Sequence, residues 1–84
     1  MSRVLQKILN NMIGLKQIRK RKGLNQQQVA IDLNISREAL SYYENGKREP
    51  SLKMLIAMSN YFNVSIDYLI TGKEFKDKNK NFPN

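Results

Sequence analysis

The stretch Gln26–Asn45, QQQVAIDLNISREALSYYEN, limits what this chain can fold into more than any other. It holds two short helical patterns with almost nothing between them. Val29, Ala30 and Leu33 make the apolar face of the first, and Ala39, Leu40 and Tyr43 that of the second. Asn34, Ile35 and Ser36 are the whole join. Helices joined so tightly cannot run antiparallel over any length, so they have to cross at a steep angle. The polar residues at the ends agree with this division. Asn25 N-caps the first helix (Gln26–Leu33), and Gln28 stands three residues on in capping-box position. Asn34 stops it, because asparagine tolerates the left-handed conformation of a helix end. Ser36 caps the second helix, which runs from Arg37 to Asn45 and closes at Gly46.

Other helical patterns flank this pair. Met12–Lys22, MIGLKQIRKRK, turns Leu15 and Ile18 inward and stops at Gly23. Lys16, Arg19, Lys20, Arg21 and Lys22 crowd its end, where the helix dipole favours cations. About half of these charges read as a solvated helix end, while Arg19 can turn inward. Upstream, Val4, Leu5, Ile8 and Leu9 share one face. Either this is a separate short helix with Asn11 capping the next, or one helix runs through Leu5, Leu9, Met12 and Leu15. Gly14 and the asparagine pair favour a break. Downstream, Pro50 disfavours helix at Glu49, and Ser51 caps a helix from Leu52 to about Phe62. Its inner stripe is Leu52, Leu55, Ile56, Ser59 and Phe62. Asn63 stops it, and Ser65 caps a short helix, Ile66–Ile70, ended by Thr71 and Gly72. Met54, Ala57, Tyr61, Tyr68 and Ile70 fall off these stripes. The last residues, KEFKDKNKNFPN, read as a flexible polar tail with Phe75 and Phe82 as its only apolar hooks. The division expected is an N-terminal helical extension (1–11), an all-α domain (12–71) and the tail (72–84).

Composition narrows the function classes. At 84 residues and 40% hydrophobic, the chain supports one modest core. It has no cysteine and no histidine, and its seven carboxylates form no close pair. Disulfides, thiolate metal sites and histidine general bases are excluded, so no enzyme, metal or cofactor is expected. The net charge of +8 favours a polyanionic partner, nucleic acid before an anionic membrane, though charge can also serve solubility alone. No apolar run approaches the ~20 residues of a membrane span, and no secretory signal is visible. A cytoplasmic location is expected.

The run GLNQQQVAIDLNISREALSYYENGKREPSLKMLIAMSNYFNVSIDYL resembles the Cro/C1-type (phage-repressor, or XRE-type) helix-turn-helix domain. The likeness covers about Leu15 to Ile70. It includes the small Ala30 where the motif's helices approach, Leu40 inside the recognition helix, and the run Tyr43-Glu44-Asn45-Gly46-Lys47-Arg48. Pro50-Ser51-Leu52 and Val64-Ser65-Ile66-Asp67 continue it. The family commonly has glycine where this chain has Asn34 and Asn63; asparagine is the best non-glycine residue for positive φ, so the fold is not in doubt. The fold implied is a five-helix, lambda-repressor-like DNA-binding domain of a bacterial or phage-encoded protein.

The resemblance also implies roles. The third helix would lie in the major groove of double-stranded DNA, with Ser36, Arg37, Glu38, Ser41 and Tyr42 toward the bases. Arg37 can donate to guanine O6 and N7, Glu38 can accept from a cytosine amino group, and Tyr42 can touch a thymine methyl or a phosphate. Arg37 as a phosphate clamp, and Glu38 as a partner to Arg37, are the plainer alternatives. Gln26, Gln27, Asn45, Lys47 and Arg48 would bind phosphates, with Gln28 facing back to its cap. Arg19 and Glu44 would pair, tying the first helix to the end of the third. Tyr61, Tyr68 and Ile70, with the Val4–Leu9 face, would supply a homodimer surface, setting recognition helices about 34 Å apart. The function implied is a sequence-specific transcriptional regulator, a homodimeric repressor on an inverted-repeat operator. The alternative is an antitoxin or adaptor that holds a partner protein.

Overall fold

The computed structural model describes residues 12–73. They form α1 (Ile13–Arg21), α2 (Gln26–Leu33), α3 (Arg37–Glu44), α4 (Leu52–Phe62) and α5 (Ile66–Thr71), with no strand among them. The expected Val4–Leu9 helix and the tail with Phe75 and Phe82 lie outside the described residues. No helix among those described is long and apolar enough to cross a membrane.

Short polar side chains set the helix starts. Asn25 Oδ1 accepts from the Gln28 amide (2.8 Å), Ser36 Oγ from Ala39 (2.9 Å), Ser51 Oγ from Met54 (3.0 Å) and Ser65 Oγ from Tyr68 (2.9 Å). Each such cap stabilises its helix by about 1 kcal/mol. Asn34 (φ 61°) and Asn63 (φ 57°) are left-handed stops, where asparagine stands in for glycine. The reciprocal arm of the capping box is absent. Gln28 Nε2 donates to Asp32 Oδ1 at 2.9 Å, one turn ahead on the same helix.

α1 begins after a break. Met12 holds φ −77° and ψ 70°, outside the helical region, and occupies the N-cap position with no side-chain cap bond. The cap therefore falls on Met12, not Asn11. Gly14 lies within α1, where it lets α5 cross closely against it. A Cβ on Gly14 would sit 1.6 Å from the Tyr68 carbonyl oxygen, so α1 and α5 meet backbone to backbone.

The core gathers Met12, Leu15 and Ile18, Val29 and Ala30, Leu40, Met58 and Phe62, and Tyr68 and Leu69. On α4 the inner stripe is rotated from the expected one. Met58 and Phe62 are buried, while Leu52 (68% exposed) and Ile56 (47% exposed) face outward. At 100° per residue, Ile56 lies roughly 160° around the helix from Met58 and Leu52 roughly 120°, so one helix cannot bury all of them against a single core. Tyr68 is a second correction. It is 3% exposed, so it does not lie on an open dimer face. The close α1–α5 crossing buries its ring, its hydroxyl accepts from Arg21 Nη2, and the Arg21 guanidinium lies 5.5 Å from the ring centre. Tyr61 and Ile70 are half-buried against the core.

Candidate nucleic-acid interface

The steep angle between α2 and α3 comes from three residues. Asn34 turns left-handed, its amide donates to Ile31 O (3.1 Å), and the Ile35 amide donates to Ala30 O (2.9 Å). This doubly bonded stop ends α2 within one residue, and Ser36 starts α3 two residues later. Ala30 is buried beneath the turn, where a larger side chain would force the helices apart.

The crossing brings the N-terminus of α2 beside the first turns of α3. Gln26, Gln27, Arg37, Glu38 and Ser41 line one open concavity of about 480 Å³. Two expected phosphate binders and three expected base readers thus share a groove. Ser36 sits at its edge with one lone pair committed to the Ala39 cap. Arg37 and Glu38 are exposed, Ser41 is half-buried, and Tyr42 is 41% exposed one turn beyond Glu38. The amides of Gln26 and Gln27 open α2 and have no partner within it, which makes this end receptive to an anion.

A polar relay connects this groove to the interior. Arg19 donates from Nε to Glu44 Oε2 (2.6 Å) and from Nη2 to Oε1 (3.1 Å), and its Nη1 donates to the Leu24 carbonyl (2.9 Å). Both residues are buried. Gln26 Nε2 donates to Glu44 Oε1 at 3.0 Å, and Gln26 Oε1 accepts from Arg37 Nε at 3.4 Å. Arg37 therefore turns to Gln26 and not to Glu38, and its two terminal nitrogens stay free of this bond. The sequence gives Gln26 a phosphate-gripping role; the structure shows it also bracing Arg37 from behind. No sequence signal carries this, because Gln26 lies on α2 while Arg37 and Glu44 lie at opposite ends of α3.

The end of α3 is arranged by its own turn. Asn45 Nδ2 donates to the Ser41 carbonyl (2.9 Å) and to Ser41 Oγ (3.2 Å), so its side chain folds back along the helix. Gly46 takes φ 72°, and Lys47 and Arg48 emerge exposed. Lys47 continues outward, while the Arg48 guanidinium lies 5.3 Å from the Tyr42 ring centre. A further tie went unread in the sequence. Tyr61 on α4 donates its hydroxyl to Asp32 Oδ2 on α2 at 2.5 Å. That hydrogen bond, with partial burial and the carboxylate charge behind it, pushes the Tyr61 hydroxyl up from 10.0 to about 12. It fixes α2, and with it one wall of the groove, against α4.

A tight helix pair with a solvent-facing second helix, braced from a compact all-α base, defines a helix-turn-helix unit. Residues 15–69 match the helix-turn-helix family, and the chain belongs to the Cro/C1-type branch of these DNA-binding transcription regulators. It is 49% identical over 70 residues to the HTH-type transcriptional regulator YqaE of Bacillus subtilis, covering 79% of this chain and 60% of that one. It is 41% identical over 66 residues to the B. subtilis HTH-type transcriptional regulator ImmR, covering 79% and 52%. To the HTH-type transcriptional activator BcrR of Enterococcus faecalis it is 43% identical over 60 residues, covering 71% and 29%. The chain thus spans between about a third and three fifths of the length of these curated relatives. No solved structure matches it.

Proposed function

We propose that the chain binds double-stranded DNA in a sequence-specific way and regulates transcription, as a cytoplasmic homodimer that represses from an inverted-repeat operator. The observation that carries this reading is the shared groove, in which the α2 N-terminus and the exposed first turns of α3 face the same solvent volume. Phosphate on the α2 amides would fix the register. Arg37, Glu38, Ser41 and Tyr42 would then meet base edges in the major groove. Ser36 adds a hydroxyl at the start of α3, while Gln27, Asn45 and Lys47 line the path of the backbone. The chain's +8 charge supplies the salt-dependent attraction that such a contact needs.

Of the dimer face expected from the sequence, Tyr68 is withdrawn by its burial, while Tyr61 and Ile70 stay partly open. Leu52 and Ile56, one turn apart on the outer face of α4, add exposed apolar area that a second copy could cover. Repression is the simplest outcome for a domain that occupies an operator, and one relative carries the name of an activator. An antitoxin or adaptor role would use the same outer α4 face to hold a different protein.

Selection of bound sequences from a random duplex pool tests this. The expected product is an inverted repeat with half-site centres about 10 base pairs apart. An enriched pool without any shared sequence would contradict base reading, and a single unpaired half-site would contradict the dimer.

A further inference from the structure

Arg48 and Tyr42 are treated above as separate contacts, one to phosphate and one to base, yet the fold joins them. The turn after α3 makes the pairing. Gly46 at φ 72° lets the Lys47 amide donate to the Tyr42 carbonyl (2.8 Å) and its own amide donate to Tyr43 O (3.3 Å). The chain is folded back, and Arg48 returns over the last turn of α3 with its guanidinium carbon 5.3 Å from the Tyr42 ring centre. The negative face of a tyrosine ring attracts a cation in that position. A guanidinium held over a ring by its face keeps its in-plane N–H groups open to other acceptors. The stack therefore orients the donors without consuming them. Tyr42 stands four residues after Glu38, on the strip of α3 that continues from the groove.

We propose that Arg48 and Tyr42 form one base-reading unit. Arg48 is a specificity-determining residue that presents two parallel N–H groups to guanine O6 and N7, and Tyr42 is the positioning residue beneath it. This rests on the DNA-reading function proposed above. It separates Arg48 from its neighbour Lys47, an unstacked point charge suited to phosphate on any sequence. Phosphate offers the same paired acceptors as guanine. The guanine edge is favoured because the ring that holds Arg48 belongs to the groove-facing strip of α3, one turn after Glu38 and next to Ser41.

The test is the random-pool selection repeated with the full chain as wild type, Arg48→Lys, Tyr42→Phe and Tyr42→Leu, together with the salt dependence of binding to the selected duplex. Lysine keeps the charge and loses the planar fork. Preference for guanine at one position of each half-site should fall by about tenfold in Arg48→Lys. Tyr42→Leu should lose it at that same position, and Tyr42→Phe, which keeps the ring, should restore it. The salt slope of Arg48→Lys should stay at the wild-type value, because the charge count is unchanged. Both side chains are exposed, so thermal melting serves as the control for folding. A profile unchanged at every position in Arg48→Lys places the guanidinium on phosphate and overturns the proposal. Loss at different positions in Arg48→Lys and Tyr42→Leu overturns the pairing. A wild-type chain that enriches no sequence overturns base reading itself, a result distinguishable from both.

Discussion

α2 with α3, and α1 with α5, are both pairs of crossing helices, but they rest on different balances of hydrogen bonding and close contact. α2 and α3 are neighbours in sequence, and their angle comes from hydrogen bonds: the Asn34 stop and the relay from Arg19 through Glu44 and Gln26 to Arg37. α1 and α5 are distant in sequence, and their crossing comes from close approach, with Gly14 against the Tyr68 carbonyl. Hydrogen bonds are directional and packing is not. The pair that must aim side chains at a partner is built from the directional kind. The pair that closes the base relies first on close approach, with the Arg21–Tyr68 hydrogen bond beside it.

The contrast can be broken at either end. The largest effect is expected from Glu44→Ala. It strands the buried Arg19 guanidinium, and such a change costs about 3–5 kcal/mol. Urea unfolding reads the cost, and a loss below about 1 kcal/mol would mean that water reaches Arg19 and the relay does not brace α3. Gly14→Ala comes next. Its methyl would overlap the Tyr68 carbonyl, and separating α1 from α5 should cost about 3 kcal/mol by the same measurement. Tyr61→Phe is smaller, about 1 kcal/mol, since its hydrogen bond to Asp32 is exposed. This tie has a pH signature. The folded hydroxyl titrates near 12, above its ordinary 10.0, so its contribution is complete below pH 10 and is lost as pH rises toward 12. Wild-type stability should therefore fall more steeply than that of Tyr61→Phe across that window. Parallel curves would show the bond absent in solution. Lys47→Ala should have the least effect on the fold, and on DNA should lower affinity for operator and scrambled duplex alike, reducing the log–log salt slope by about 0.9.

Legibility in the sequence followed the same line. Both helix starts and the α2 stop could be read, because Asn25, Asn34 and Ser36 act on backbone groups a few residues away, and the α3 end fell one residue before the expected Asn45. The five-helix, all-α reading followed from such local punctuation, and the family from the likeness of the run from Gly23 to Leu69. The base was harder. Gly14 looked like a helix breaker, since its reason lies at Tyr68, far along the chain. Leu52 and Ile56 looked buried because several stripes on α4 are apolar, and only the position of the other helices chooses Met58 and Phe62. Tyr68 looked like surface for the same reason. At the groove, Arg37 and Glu38 could be nominated from their place on α3. The bracing of Arg37 by Gln26, the Asp32–Tyr61 tie and the stacking of Arg48 on Tyr42 each join residues from separate segments, and pattern along one helix does not contain them.

The central claim is that α3 is aimed at base edges with Arg37 at its leading end. Its most direct measurement is the ratio of affinities for the selected operator and a scrambled duplex, compared between wild type and Arg37→Ala at one fixed salt concentration. Arg37 is exposed, so the variant should fold as the wild type does. The account predicts that the ratio collapses by about tenfold or more while affinity for the scrambled duplex changes little. An unchanged ratio, with both affinities lowered equally, would place Arg37 on phosphate and contradict it.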